Sequence, residues 1–345
     1  MCIRDRINDV EVENSNSLYA YRAYITDTLN HGTEAKSTFL QNALYYPDTS
    51  REMDTTTLPK TIVTVADINQ NLNQGYLKRR DILMLGKGEI EVKGVPHLDI
   101  FNNGKFMLNQ TNITIELYLN NPKFFLMGKG DYSMKIKSAS LFVKKVIPND
   151  NIQNAINMHL QKAPAIFNMN RVALVSKKLQ NDSLTQTIEI CNGLVPKRII
   201  LCMVDAVSST VGKIDKNPYN FAHFNLESCK LSENFTNIAY SDSLKFNFEK
   251  GHFLDGYWTL FDGIDKPYLG NNISREDYAN GYMFIAYDLT ANGECEPFNN
   301  ISRSGTITVD LVWKTKTETP LQLIAYLEYD KTLKMDIYRN IIKDE

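Results

Sequence analysis

The sequence predicts an all-β chain built as two antiparallel sandwiches joined by a helix. Three observations carry that expectation. Most of the chain alternates apolar and polar residues with a period of two, the signature of half-buried strands. The composition favours strands, with 18 Tyr and 16 Phe against only 17 Gly in 345 residues. The strands are not separated by regular helices, so a parallel βαβ sheet is disfavoured.

In chain order, Ile7, Val10 and Val12 alternate with Asn8, Asp9, Glu11 and Glu13 and open the chain on a strand. Residues 1–6 hold no apolar stretch. They read as a scar, with the true protein starting further upstream, or as a short native amino terminus. Tyr21, Tyr24, Ile25, Thr28 and Leu29 lie along one side of a helix that should end at a left-handed Gly32. Thr33 can cap a second helix through Leu44, stopped by Pro47. Ile113, Ile115, Leu117 and Leu119 share one strand face. Residues 132–147 suit a long strand whose apolar face switches at 138–140, as at a bulge.

The one strongly amphipathic helix covers residues 150–162, where Ile152, Ala155, Ile156, His159 and Leu160 make a packing face that Pro164 ends. Beyond it, 198–204 and 282–287 are apolar on both faces, as in strands covered on each side. Ser274-Arg-Glu-Asp277 is a capping-box variant opening a short helix that closes at Asn280-Gly281. Two further rows, Ile307, Val309, Leu311, Trp313 and Leu323, Ala325, Leu327, Tyr329, point inward. The expected organisation is a first unit at 1–148, a linking helix at 149–163 and a second unit at 164–345. No residue-level repeat relates the halves.

Charge and motif exclude several functions. With 38 Lys+Arg against 40 Asp+Glu the formal net charge is −2, unlike a protein whose main work is neutralising phosphates. No apolar run approaches the roughly 20 residues of a membrane span. Cys2, Cys191, Cys202, Cys229 and Cys295 show no Cys-x-x-Cys spacing and read as reduced thiols. The six Asn-x-Ser/Thr triplets at Asn109, Asn112, Asn181, Asn234, Asn272 and Asn300 read as chance matches. None of the four Gly-Lys pairs precedes Ser or Thr, which refuses a P-loop. Gly86-Lys-Gly88 and Gly128-Lys-Gly130 read as exposed turns.

Neither a Gly-x-Ser-x-Gly elbow nor a His-Glu-x-x-His pair occurs. His31, His97, His159, His223 and His252 are scattered, His159 reads as an interior imidazole, and His223 has no neighbouring ligand. No catalytic, cofactor-binding or metal-binding residue is therefore expected. Lys78-Arg79-Arg80 and Lys144-Lys145 are the tight basic clusters, read as a solvated face or, alternatively, as an inward patch on packaged nucleic acid. The loops with Tyr257-Trp-Thr-Leu-Phe261 and Tyr268-Leu269 read as core packing before interface.

Several blocks, in order, resemble a known family. They are Tyr21-Arg-Ala-Tyr24 with the 29–32 corner, Glu34-Ala-Lys36, Ala43-Leu-Tyr-Tyr46, Gln74-Gly-Tyr-Leu-Lys-Arg-Arg80, His97-Leu-Asp-Ile-Phe101 and Leu108-Asn109. Then come Ala139-Ser-Leu-Phe-Val-Lys-Lys145, Leu194-Val-Pro-Lys-Arg-Ile199, Asn217-Pro-Tyr-Asn-Phe-Ala-His-Phe-Asn-Leu226, Ile273-Ser-Arg-Glu-Asp-Tyr-Ala-Asn-Gly-Tyr282 and Tyr287-Asp-Leu-Thr290. Together they resemble the major capsid proteins of Polinton (Maverick) elements and adintovirus-like viruses, from about Ile7 to about Arg339.

The resemblance implies a double jelly roll that assembles as trimers, each a pseudo-hexameric block in the shell of an icosahedral virion. It implies partners in copies of itself, a minor capsid or penton protein and, at most weakly, packaged DNA. Assembly inside a host cell and location in the virion follow from the same resemblance. Members of that family carry opening strands before the Ile7-like strand, so the first jelly roll is expected to be incomplete here and prone to aggregation. A carbohydrate-binding or carbohydrate-active β-sandwich, a penton-type protein and a domesticated host copy are the competing readings.

Overall fold

A computed structural model describes residues 2–59, 71–237, 243–264, 270–290 and 301–342. The expected contributions of Tyr268, Leu269, Cys295 and Asn300 lie outside them. The fold is mostly antiparallel β with short helices.

The amino-terminal part begins with a hairpin. β1 (Cys2–Ile7) turns through Asn8 and Asp9, whose φ values of 48° and 67° are those of a type I′ turn, into β2 (Val10–Asn14). β3 (Ile113–Tyr118) pairs with the other edge of β1, giving the order β2-β1-β3. Residues 2–6, read above as part of a scar or a short amino terminus, thus form most of a central strand, with Ile3, Asp5 and Ile7 buried.

Helix α1 (Tyr19–Asn30) follows and buries Tyr19, Tyr21, Arg22, Ile25, Thr28 and Leu29. It stops two residues before Gly32, which has φ −81° and precedes the next helix instead of adopting the left-handed cap. The continuous helix expected to Leu44 is broken. α2 (Thr33–Ser37) gives way to a 3₁₀ turn at Phe39–Ala43, and Leu44 takes the left-handed conformation. α3 (Gln74–Leu85) is capped by the Asn73 side chain on the Tyr76 N–H, and α4 (Pro122–Phe125) by Asn121 on Lys123.

The linking helix forms as α5 (Asp150–Leu160), but its apolar face does not pack: only Leu160 is buried, and His159 is exposed. Amphipathic spacing yields burial only where another element supplies the opposing surface, and none does here among the described residues.

From β4 (Ala165–Lys178) onward the chain is a complete jelly roll. β5 (Thr185–Leu194), β6 (Arg198–Asp205), helix α6 (Ala206–Thr210), β7 (Leu226–Glu233), the short β8 (Thr236–Asn237) and β9 (Leu244–Lys245) come first. Helices α7 (Leu254–Asp262) and α8 (Arg275–Ala279), then β10 (Ile285–Asp288), β11 (Ser304–Trp313), β12 (Leu321–Met335) and the short β13 (Ile341–Ile342) complete it. One sheet runs β4-β12-β6-β10 and the other β5-β11-β7-β9, all antiparallel. Numbered one to eight with the short β9 counted and β8 and β13 left out, these orders are 1-8-3-6 and 2-7-4-5, the strand order of a jelly roll.

The long β12 holds the first sheet together, pairing with β4 from Gln322 opposite Lys178 to Met335 opposite Ala165. Ile307, Val309, Leu311 and Trp313 of β11 are all buried, as alternation requires, and share one core with Leu201 and Cys202 of β6 and Ala325 of β12. β6 and β12 are buried on both faces because α1 lies outside their sheet, where Thr26 Oγ1 meets Tyr326 Oη at 3.2 Å. Tyr21 of α1 donates to the Pro218 carbonyl at 3.1 Å, and Tyr24 stacks on Tyr219 at 4.3 Å. The capping box at Ser274 and Asp277 forms as expected.

Candidate interaction surface

The first half departs most from expectation over residues 132–147. No strand forms there, and these residues make no main-chain hydrogen bond to any other described residue. Tyr132, Met134, Ile136, Leu141, Val143 and Val146 are exposed, and Phe142 and Ile147 are 83% and 88% exposed. A period-two sequence becomes a strand only when a neighbour takes its N–H and C=O groups, and among its described residues the first half offers one three-stranded sheet. Residues 86–95 run beside this segment. Lys93 lies over the Phe142 ring at 5.2 Å, Lys137 pairs with Glu89, and Ile90, Val92 and Val95 are exposed.

β3 was expected to turn Ile113, Ile115, Leu117 and Leu119 inward. Instead Ile113, Leu117 and Leu119 are exposed and Ile115 is half-buried. Exposed apolar side chains thus gather on β3 and along residues 86–95 and 132–147. In the second half, Tyr257-Trp-Thr-Leu-Phe261 lies in a helix, not a loop. Thr259 and Leu260 are buried while Trp258 is 60% exposed, so the segment serves the core and the surface at once.

The basic clusters are not equivalent. Arg79 donates to the Tyr46 carbonyl and to Asp48 Oδ1, both at 2.5 Å, and so anchors a turn. Arg80 faces Asp81 at 3.7 Å, whereas Lys144 and Lys145 are exposed within the 132–147 segment. Gly86 to Gly88 forms the expected turn, with Lys87 and Gly88 at φ 51° and 86°.

Groups that could do chemistry stay apart. His223 stacks on Phe248 at 3.9 Å and accepts the Asn225 N–H through Nδ1 at 2.9 Å, with burial lowering its pKa. It lines a cleft of about 450 Å³ with Arg51, Phe253, Arg275 and Glu276. His31 and His97 both approach Asp27 Oδ1, at 3.7 and 3.3 Å, a convergence the sequence spacing did not reveal. Among the described residues no group of three or more His, Cys, Asp or Glu is arranged to hold a metal ion. Cys191, Cys202 and Cys229 are free thiols, all pushed up by burial, Cys229 to about 12.

A concentrated electrostatic feature lies where the amino-terminal sheet meets the jelly roll. Asp5 of β1, Glu13 of β2 and Asp99 are buried together with Arg22 of α1. Arg22 donates through Nη2 to Asp99 Oδ1 at 2.7 Å and through Nη1 to Glu13. Glu13 Oε2 accepts the Asp99 N–H at 2.9 Å, and Asp99 Oδ1 also accepts the Val172 N–H of β4 at 3.2 Å. Lys331 of β12 donates to the Val12 carbonyl at 3.4 Å.

Both Asp5 oxygens are buried without a hydrogen-bond partner. Burial, then repulsion from Asp99, pushes Asp5 up to about 6, opposed only in part by the nearby N–H groups of Asp5 and Glu13. The same two causes push Glu13 up to about 7 in spite of Arg22.

No family model matches the chain. An uncharacterized protein of Caenorhabditis elegans is 22% identical over 353 aligned residues, covering 98% of this chain and 78% of that protein. The crystal structure of PBCV-1 VP54, fitted into a cryo-EM reconstruction of the virophage Sputnik, overlaps 57% of this chain and 55% of its own at 11% identity and a TM-score of 0.36. The crystal structure of the mavirus major capsid protein overlaps 53% of this chain and 41% of its own at 10% identity and a TM-score of 0.30. This chain thus spans about half or less of either solved chain. Overlaps of this size assign no function by themselves.

Proposed function

We propose that the chain is a structural major capsid protein of the Polinton and adintovirus type, assembling as trimers into pseudo-hexameric capsomers of an icosahedral virion. The observation that carries this reading is the jelly-roll strand order of the second half, in a chain whose ordered blocks from Ile7 to Arg339 resemble that family. Fold alone does not specify function; the sequence blocks narrow it. A shell protein needs broad contacts with its own copies rather than one deep pocket. The exposed apolar rows at 113–119 and 132–147 supply such surface, and neighbouring copies and a penton-type protein are the partners that fit. Lys144 and Lys145 are the residues that could touch packaged DNA, and only weakly.

The carbohydrate-binding reading needs paired acids and aromatics along a groove. The cleft beside His223 holds a single acid, Glu276, and a second cleft at Lys178, Leu179, Gln180, Asn181 and Pro320 holds none. Among the described residues no helix is long and apolar enough to cross a membrane.

Native mass spectrometry and light scattering on the chain test the proposal. Trimers, and shell fragments visible by electron microscopy, are expected. A stable monomer that binds glycans overturns it.

A further inference from the structure

We propose that the buried cluster of Asp5, Glu13, Asp99 and Arg22 is an acid-strengthened latch that fastens the amino-terminal sheet to the jelly roll. The inference rests on placement and does not depend on the capsid reading. Each element at this junction contributes a group: Asp5 from β1, Glu13 from β2, Arg22 from α1, Asp99 from the segment before β3, Arg171 and the Val172 N–H from β4, and Lys331 and Tyr326 from β12. Three carboxylates share one fully buried cation. Lys331 is only half-buried and Arg171 is exposed. With all three carboxylates ionised, Arg22 can balance Asp99 or Glu13 but not both, and the Asp5 carboxylate makes no hydrogen bond that meets normal geometry. Protonating Asp5 and Glu13 removes the excess charge and leaves the Arg22–Asp99 pair intact.

The direction follows from linkage. Asp5 and Glu13 hold their protons to about pH 6 and 7 in the folded chain. Once the sheet has detached, they release them near the ordinary carboxylate values of about 4. Below about pH 4 both states are protonated and the latch is at full strength. As pH rises from there to about 7 the detached state loses protons first, so docking weakens. Lys331, whose pKa is lowered by burial and by Arg171, faces the three carboxylates from β12.

Native-state hydrogen exchange on the full chain tests this at pH 5 and pH 8, corrected for the base-catalysed intrinsic rate. The amides of β1 and β2 are expected to open roughly tenfold or more often at pH 8, one pKa unit being worth tenfold. The amides of β6 and β11 serve as the internal reference and should change much less. Asp5→Asn, a neutral isostere, should restore protection of β1 at pH 8 and flatten the pH response. Glu13→Gln should flatten it even though it weakens the contact with Arg22. Equal protection of β1 at both pH values, an equal loss in β6 and β11, or an unchanged slope in Asp5→Asn would each overturn the latch.

Discussion

The Arg22 guanidinium and the Asp99 carboxylate meet at 2.7 Å across 77 residues of sequence, with both side chains only 2% exposed. The same Asp99 oxygen accepts the Val172 N–H, so a single ion pair ties α1, the segment before β3 and the first jelly-roll strand together. Arg22→Met leaves Asp99 and Glu13 buried without their cation and should destabilise the chain by about 3–5 kcal/mol. Urea unfolding at pH 7.5 measures it. The triple change Arg22→Met, Glu13→Gln, Asp99→Asn should recover part of the loss, because Asp5 is then the one carboxylate of the cluster left buried without a cation.

The β11 row places Trp313 in the core at 2% exposure, yet its indole N–H has no hydrogen-bond partner. Trp313→Ala should cost about 3–5 kcal/mol through the cavity it opens. Trp313→Phe removes an unsatisfied donor along with part of the volume, and should cost clearly less. Thermal unfolding of the two variants side by side gives the comparison. Equal losses would show that the Phe ring does not fill the space the indole leaves.

How much of this was legible in the sequence depends on what each pattern needs from elsewhere. The β11 row, the doubly apolar β6 and the Ser274–Asp277 capping box are satisfied locally or by a sheet that exists, and they form as read. The apolar faces of residues 150–162 and 132–147 require a surface that the described residues of the first half do not supply, so periodicity there did not yield burial. The charge cluster was illegible for the opposite reason. Glu13 reads as the solvent side of an alternating strand, and Arg22 lies between the helix's apolar positions. Only contacts spanning 77 and 86 residues bring them to Asp99. Glu13 shows that a polar residue in an alternating strand can be an interior group when the hairpin's second face is covered too.

Gly212 follows α6 at φ +83°, a conformation that side chains rarely adopt. A Cβ there would lie 2.4 Å from the Phe124 main-chain nitrogen and 2.5 Å from the Lys123 carbonyl carbon, so α4 rests directly on this glycine. Gly212→Ala should destabilise by more than about 1 kcal/mol, since both the backbone and the contact oppose it. Gly88, also at positive φ but with open space around it, is the control. Gly88→Asn should be nearly neutral in the same denaturation assay.

The thiols give a test of packing that needs no substitution. Cys202 and Cys229 are buried and their pKa values raised by burial, so neither supplies thiolate at neutral pH. An aromatic disulfide reagent at pH 7.5 should leave both unmodified in the folded chain, with Cys191, half-buried, reacting slowly. Reaction should become complete only above the urea midpoint. Fast modification of Cys229 in the native state would mean that the jelly-roll core opens on its own.

The exposed rows of the first half make the sharpest prediction about association. Phe142 and Ile147 carry large apolar surface into solvent on a segment whose main chain has no described strand partner, a combination that invites edge-to-edge pairing. The isolated chain should therefore self-associate and bind a hydrophobic dye, with its first half losing structure before the jelly roll does. Phe142→Lys with Ile147→Lys should lower dye binding and shift light scattering towards the monomer. Because both side chains are already exposed, the unfolding midpoint of the jelly roll should stay within about 0.5 kcal/mol of the parent. If the same pair also abolishes trimers of the chain, the surface is a contact between copies. Trimers that persist in the variant would mean that this face is not that contact.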